Sequence, residues 1–399
     1  MTSQPAIMAE DAIAGVMPLL PGIPDELAIW EILIRLPPKS LLRCRAVCRA
    51  WRRATSVRAF LLAHHDRQAS LPIVWGKLVS GSEHGGARYK DFLAFDQRAT
   101  DAQLQPVARL DQSYSLRAIC DGLLILSNYT TDTYYRICFS ICNPVTRQSA
   151  PLRQPSGFIL LGMYLHRPTG EYRLLLSRRT YGVSPILGSV MGKGEISCYV
   201  FVLGSEQPPR YIQRLDPESG LCFLTPALVR DSLHWFSLQH QSQSRRIIVF
   251  DTTAELFRQM RAPLLPTSSC IFEMDGTLGI YSHKDDMKVV DIWVLQNYEG
   301  EVWECKYRVE LPVAEIRGLF GRKEGHWDVT VVMADGEILL LLSHGHWLFY
   351  VDIDGKLVDS FHRDGQYLSP CGLRLKQTLV PHTFFTTLED HVVNAPPFI

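Results

Sequence analysis

The sequence predicts an α+β chain of two parts, a small N-terminal bundle of three helices followed by an all-β propeller of six or seven blades. Three observations predict it. Apolar residues spaced by three and four run from Ile23 to about Asp66. After Ser70 the text changes to short β-branched and aromatic runs broken by Gly, Asp, Asn and Pro. Within that second region one strand-and-turn pattern recurs six times. Residues 1–20 are expected to form a disordered tail, 21–66 the helical unit and 71–399 the β domain.

The first helix is expected from Pro24 to Leu36. Pro24 suits a first turn, Asp25 and Glu26 favour the positive end of the helix dipole, and Pro37-Pro38 stops the helix. Between Leu27 and Leu36 only Glu31 and Arg35 are polar, an i, i+4 pair with the acid N-terminal. Leu27, Ala28, Ile29, Trp30, Ile32, Leu33, Ile34 and Leu36 are apolar around the rest of the circumference, so the helix must be covered on more than one side. A unit this small has little interior of its own, and a partner's helices are the economical cover. Ser40 is expected to cap a second helix carrying Leu41, Cys44, Cys48 and Trp51 on one stripe, with Arg43, Arg45, Arg49, Arg52 and Arg53 on the other faces. A third short helix is expected from Val57 to His64.

In the β region the repeated form is an apolar strand ending in a turn residue, at Asp96, Asn143, Gly204, Asp251, Asn297 and Asp352. The intervals are 47, 61, 47, 46 and 55 residues, a drifting period that marks propeller blades and that two sandwich domains would not produce. Turn-led strands such as Asp231-Ser232-Leu233-His234-Trp235 and Asp335-Gly336-Glu337-Ile338-Leu339 fall in the same repeats.

The 399 residues include 41 Lys+Arg and 41 Asp+Glu, a net charge of zero, which argues against a protein that coats nucleic acid or an anionic membrane. The uncharged stretch from Ala12 to Pro24 is interrupted by prolines and is shorter than the ~18 residues a span needs. No membrane and no export are expected, so the setting is cytoplasm or nucleus and the ten cysteines are reduced thiols.

The segment Ile23-Pro24-Asp25-Glu26-Leu27, then Ile32-Leu33, Arg35-Leu36-Pro37, Lys39-Ser40-Leu41-Leu42-Arg43 and Arg45-Ala46-Val47-Cys48-Arg49-Ala50-Trp51-Arg52, resembles the F-box, the adaptor-binding module of Skp–cullin–F-box ubiquitin ligases. It departs from that pattern at Ile23, where Leu is usual, and at Cys44, where an aromatic is common. The β region resembles the F-box-associated domain of plant members, through Cys120-Asp121-Gly122-Leu123-Leu124, Asn143-Pro144-Val145-Thr146-Arg147, Ser232-Leu233-His234-Trp235, Ile248-Val249-Phe250-Asp251 with Glu255-Leu256-Phe257, and Trp293-Val294-Leu295 with Trp303. The resemblance implies a non-catalytic substrate receptor. It would bind a Skp-family adaptor, and through it a cullin, by Pro24, Leu27, Ile32, Leu33, Leu36, Val47, Cys48 and Trp51, and would grip an unidentified protein target by the β domain. It supplies no substrate-binding residues, because the family has no shared recruiting motif.

No catalytic constellation, metal site or cofactor is expected. Gly188-Ser189-Val190-Met191-Gly192-Lys193-Gly194 has one residue too few between its glycines for a phosphate loop and lacks Ser or Thr after Lys193. Cys44/Cys48 and Cys138/Cys142 read as structural thiols. His344 and His346, expected on one strand face, lack a third ligand for a metal, and Asp285-Asp286 reads as a solvated loop dyad. Two other function classes compete: a propeller that binds a glycan or small molecule or acts as an enzyme, and a nucleic-acid-associated regulator using the arginines between Arg43 and Arg53.

Overall fold

The computed structural model describes residues 24–78, 89–99, 103–130, 136–153, 155, 157–180, 195–215, 225–236, 246–263, 265, 268–284, 288–320, 327–334, 336–388 and 390–399. The chain divides into two compact units, Met1–Gln68 and Ala69–Ile399. The expected tail, the Gly188–Gly194 loop and Asp285-Asp286 lie outside the described residues.

In the first unit α1 (Asp25–Leu27) runs into a π turn over Ala28–Ile32 and a 3-10 turn over Leu33–Arg35. The change of pitch re-sorts the apolar side chains. Ala28, Leu33 and Ile34 turn inward, whereas Leu27, Trp30 and Ile32 stay exposed. Arg35 donates to Glu31 at 2.6 Å, as the i, i+4 spacing predicts, but both side chains are exposed and the pair adds little.

The second helix differs from its expected form at both ends. Pro38, not a residue after Ser40, opens α2 (Pro38–Val47), since a missing N–H costs nothing in a first turn. Cys48 is extended (φ −145°, ψ 151°) and breaks the expected stripe, and its Sγ accepts the Trp51 N–H at 3.3 Å to start α3 (Arg49–Thr55). With α4 (Arg58–Arg67) the unit therefore has four helical segments rather than three. Its small core is Ala28, Leu33, Ile34, Leu41, Phe60 and Leu61. The buried His64 donates Nε2–H to the Leu36 carbonyl at 2.8 Å, tying α4 to the end of the first segment. Burial lowers its pKa, so the ring is neutral.

The second unit is a propeller of six blades, each an antiparallel sheet. Blade 1 combines Ser70–Leu78, Tyr89–Phe95 and Leu104–Asp111 with an inner strand, Gln366–Lys376, from much later in the chain. Blade 2 runs outward through Ser115–Cys120, Leu123–Thr130, Arg136–Asn143 and Gln148–Leu152, and Val392–Val393 adds a fifth strand. Blade 3 is Ile159–His166, Glu171–Thr180, Glu195–Val202 and Arg210–Leu215. Blade 4 is Ala227–Val229, Ser232–Phe236, Arg246–Asp251 and Leu256–Arg261. Blade 5 is Ser268–Met274, Thr277–His283, Val289–Asn297 and Val302–Glu310. Blade 6 is Trp327–Ala334, Glu337–His344, Trp347–Val351 and Leu357–His362.

Each of the six repeated runs is the third strand of its blade counted from the inside, and its turn residue leads to the fourth. Five of the six are Asp or Asn whose side-chain oxygen accepts a backbone N–H two or three residues on, at 2.8–3.1 Å. The sixth, Gly204, supplies φ +80° instead. His344 and His346 do not share a strand, because they flank the turn at Gly345.

Apolar side chains fill the space between every pair of adjacent blades. Leu110, Ile73 and Phe92 meet Leu124 and Leu126 between blades 1 and 2, and Val74, Leu93 and Phe95 meet Leu341 and Leu348 between blades 1 and 6. The ring is thus closed by packing as well as by the Ser70–Leu78 pairing with Gln366–Lys376, register Ser70 to Lys376 and Leu78 to Gln366. Phe398 adds its ring to the blade 1 and 2 cluster. No helix among the described residues is long and apolar enough to cross a membrane.

The Asp121-Gly122 turn between the first two strands of blade 2 has both residues at positive φ, 48° and 82°, as a two-residue hairpin needs. A Cβ on Gly122 would lie 2.5 Å from the Lys376 carbonyl oxygen. Gly122→Ala is expected to destabilise the protein by about 2–4 kcal/mol, read by chemical denaturation. His234, wholly buried in blade 4, is held neutral by desolvation with a pKa lowered to about 4. Below its unfolded pKa of 6.5 the unfolded chain takes up the proton and the folded chain does not, so stability falls as pH drops from 6.5 towards 4. The full effect is about 3 kcal/mol, and a His234→Gln variant should show a flatter dependence of melting temperature on pH over that window.

Candidate functional site

Two places on the molecule are candidates for a functional site. The first is the surface of the helical unit. Of the residues expected to contact an adaptor, Pro24, Leu27, Ile32 and Val47 are exposed, Val47 by 75%. Leu36, Cys48 and Trp51 are half-buried, and Leu33 is 3% exposed, part of the unit's own core. The exposed apolar set also includes Trp30, Leu42, Val57 and Leu62. Leu42 and Val57 carry no periodic signal that separates them from core positions, whereas Trp30 belongs to the apolar girdle of the first helix. Among the arginines, Arg43, Arg49, Arg52 and Arg53 are exposed. Arg45 is not part of that face: it donates through Nε to Thr55 Oγ1 at 2.9 Å and through Nη2 to the Thr55 carbonyl, joining α2 to the end of α3.

The second place is the propeller channel, where a cavity of about 700 Å³ is lined from the inner strands of blades 1, 2, 4, 5 and 6. Ile271, Val331, Met333 and Leu373 give it apolar walls. Cys120, Cys270 and Cys371 also line it, and burial pushes the Cys371 thiol up to about 12 and the Cys120 thiol well up too, so both are protonated. None of the described cysteines is in a disulfide. No group of three or more His, Cys, Asp or Glu among the described residues converges as metal ligands.

The polar lining is asymmetric. Among the described residues it holds four acids, Asp121, Glu273, Asp275 and Asp328, and one cation, Arg374. Arg374 Nη1 donates to Glu273 Oε2 at 2.9 Å, and its Nε and Nη2 donate to the Ser70 carbonyl at 3.2 and 3.1 Å. The pair joins blade 1 to blade 5, which are not neighbours in the ring. Glu273 Oε1 in turn accepts the Gly276 N–H at 2.7 Å. These acids were invisible as a set in the sequence, where they are spread over two hundred residues.

Residues 93–366 match the family described as the F-box associated beta propeller domain, and residues 20–67 match an F-box-like domain. The chain is an F-box protein with an F-box-associated propeller. This F-box protein is similar to Arabidopsis thaliana relatives along most of both chains. It is 23% identical over 355 residues to F-box protein At5g49610, covering 82% of this chain and 88% of the relative. It is 24% identical over 322 residues to F-box protein At3g07870, covering 74% of each. Among solved structures, a chain of a nidogen/laminin complex aligns over 74% of this chain and 95% of its own length with a TM-score of 0.39 and 10% identity, a likeness too loose to carry a function.

The cross-channel pair makes Arg374 a structural cation of the F-box protein. Arg374→Met leaves Glu273 without its counter-ion and the Ser70 carbonyl without its donors. The expected loss is about 1–3 kcal/mol in denaturant unfolding of the full chain, and an unchanged midpoint would remove Arg374 from this role.

Proposed function

We propose that this F-box protein is the substrate receptor of a Skp–cullin–F-box ubiquitin ligase and has no catalytic chemistry of its own. The observation that carries the reading is the set of seven large apolar side chains, Leu27, Trp30, Ile32, Leu42, Val47, Val57 and Leu62, left exposed on a helical unit that ends at Gln68. Each stabilises a complex by roughly 1.5–3 kcal/mol when fully buried, and a Skp-family adaptor is the partner the F-box resemblance names. On this reading Pro24, Leu27, Ile32 and Val47 face the adaptor, while Leu33, Leu36, Cys48 and Trp51 hold the helices that present them. The propeller holds a target protein, and the ligase brings that target beside a charged ubiquitin-conjugating enzyme, so that an encounter becomes effectively intramolecular. The setting is the cytoplasm or nucleus, where such ligases work.

Co-purification of the full chain with a Skp-family adaptor tests it. Ile32→Asp and Val47→Asp place a charge at exposed positions, so they leave the bundle folded but put an unpaired carboxylate into the contact. Each is expected to weaken adaptor binding about 30-fold or more. Leu33→Asp, by contrast, buries the charge in the bundle's own core and should unfold the unit, which separates a lost contact from a lost fold. If both exposed variants bind the adaptor as the parent does, the contact is elsewhere.

A further inference from the structure

We infer that the propeller channel is where the target is read, and that it takes a Lys- or Arg-bearing segment of the target protein. This rests on the receptor reading above and adds the chemistry of the ligand. The cavity of about 700 Å³ exceeds what a single side chain fills, so it has room for a short stretch of chain. Of its four carboxylates one, Glu273, is already matched by Arg374 at 2.9 Å. Among the described residues Asp121 accepts one neutral donor, Tyr172 OH, at 3.1 Å. No Lys or Arg other than Arg374 lines the cavity among the described residues. Three negative charges therefore face one channel in a chain whose net charge is zero.

The placement of those charges favours an elongated ligand. Asp121 and Asp275 follow the inner strands of blades 2 and 5, whereas Asp328 lies near the start of the inner strand of blade 6. Inner strands of a propeller run in the same direction, so the carboxylates lie towards opposite ends of the channel lining rather than around one point. A bare ion is poorly served there, since no three ligands converge among the described residues. Lys and Arg side chains suit it: their methylene stems can lie along the half-buried Ile271 and Leu373 while the charged ends reach the carboxylates. The protonated thiols of Cys120 and Cys371 leave the walls neutral, so the field in the channel is that of the aspartates.

The test uses the full chain in complex with a Skp-family adaptor and three fluorescent pools of dodecapeptides, with Lys/Arg, Gln or Glu at alternate positions. Anisotropy should show binding of the basic pool alone, weakening with added salt. The triple variant Asp121→Asn, Asp275→Asn and Asp328→Asn should reduce that binding about tenfold or more. Asn tolerates the positive φ of 48° at Asp121 and 45° at Asp275, so the turns survive, and an unchanged melting temperature confirms the fold. Equal binding of the three pools, or basic-pool binding indifferent to the triple variant, overturns the inference. So does spermidine displacing the basic pool at equal charge concentration, since the apolar walls would then contribute nothing. Adaptor co-purification is read in the same samples: peptide binding lost with the adaptor retained sinks only the channel assignment, whereas a chain that never recruits the adaptor sinks the ligase reading.

Discussion

The antiparallel pairing of Ser70–Leu78 with Gln366–Lys376 is the contact on which the rest of the propeller depends. It joins the two ends of the β region and turns a row of sheets into a ring. The entropy lost in closing so long a loop grows only logarithmically, with each doubling of length costing about 0.6 kcal/mol. Against that stands the packing of Val74, Leu93 and Phe95 on Leu341 and Leu348, where burying one such side chain contributes roughly 1.5–3 kcal/mol. Closure wins on those magnitudes. It also creates the channel, since Pro370, Cys371, Leu373 and Arg374 of the closing strand form part of its lining.

The sequence revealed the blades through their third strands because those strands combine two strong signals. Strands such as Arg246–Asp251 are buried on both faces, which demands a continuous apolar run. Each then ends in a residue chosen for turn chemistry, as Asp251 does by accepting the N–H groups of Thr253 and Ala254. Inner strands were harder to see. Ala227–Val229 is only three residues long, and Gln366–Lys376 contains Pro370 and Gly372, residues that argue against a strand when read locally. The role of that last strand is set by a partner almost three hundred residues away, and no local rule contains such information.

The helical unit shows the same division. The apolar girdle between Leu27 and Leu36 was plain, but which of its members point outward depends on the π turn at Ala28–Ile32. A regular helix would have sorted them differently. The break at Cys48 was likewise hidden, because Leu41, Cys44, Cys48 and Trp51 keep helical spacing across two separate helices. Charge in the channel could not be anticipated at all: Asp121, Asp275 and Asp328 become neighbours of one cavity only through the rotation of the blades about a common axis.

Chain order gives the closing strand a consequence for biosynthesis. While the polypeptide is leaving the ribosome, Ser70–Leu78 has its outer neighbour available early but must wait until Gln366–Lys376 has been made to meet its inner one. Throughout that interval a row of backbone donors and acceptors, flanked by Val74 and Trp75, stays unpaired in a crowded cell. Nascent copies on one polysome present the same open edge to each other, so the hazard of edge-to-edge pairing during synthesis comes from the topology rather than from composition.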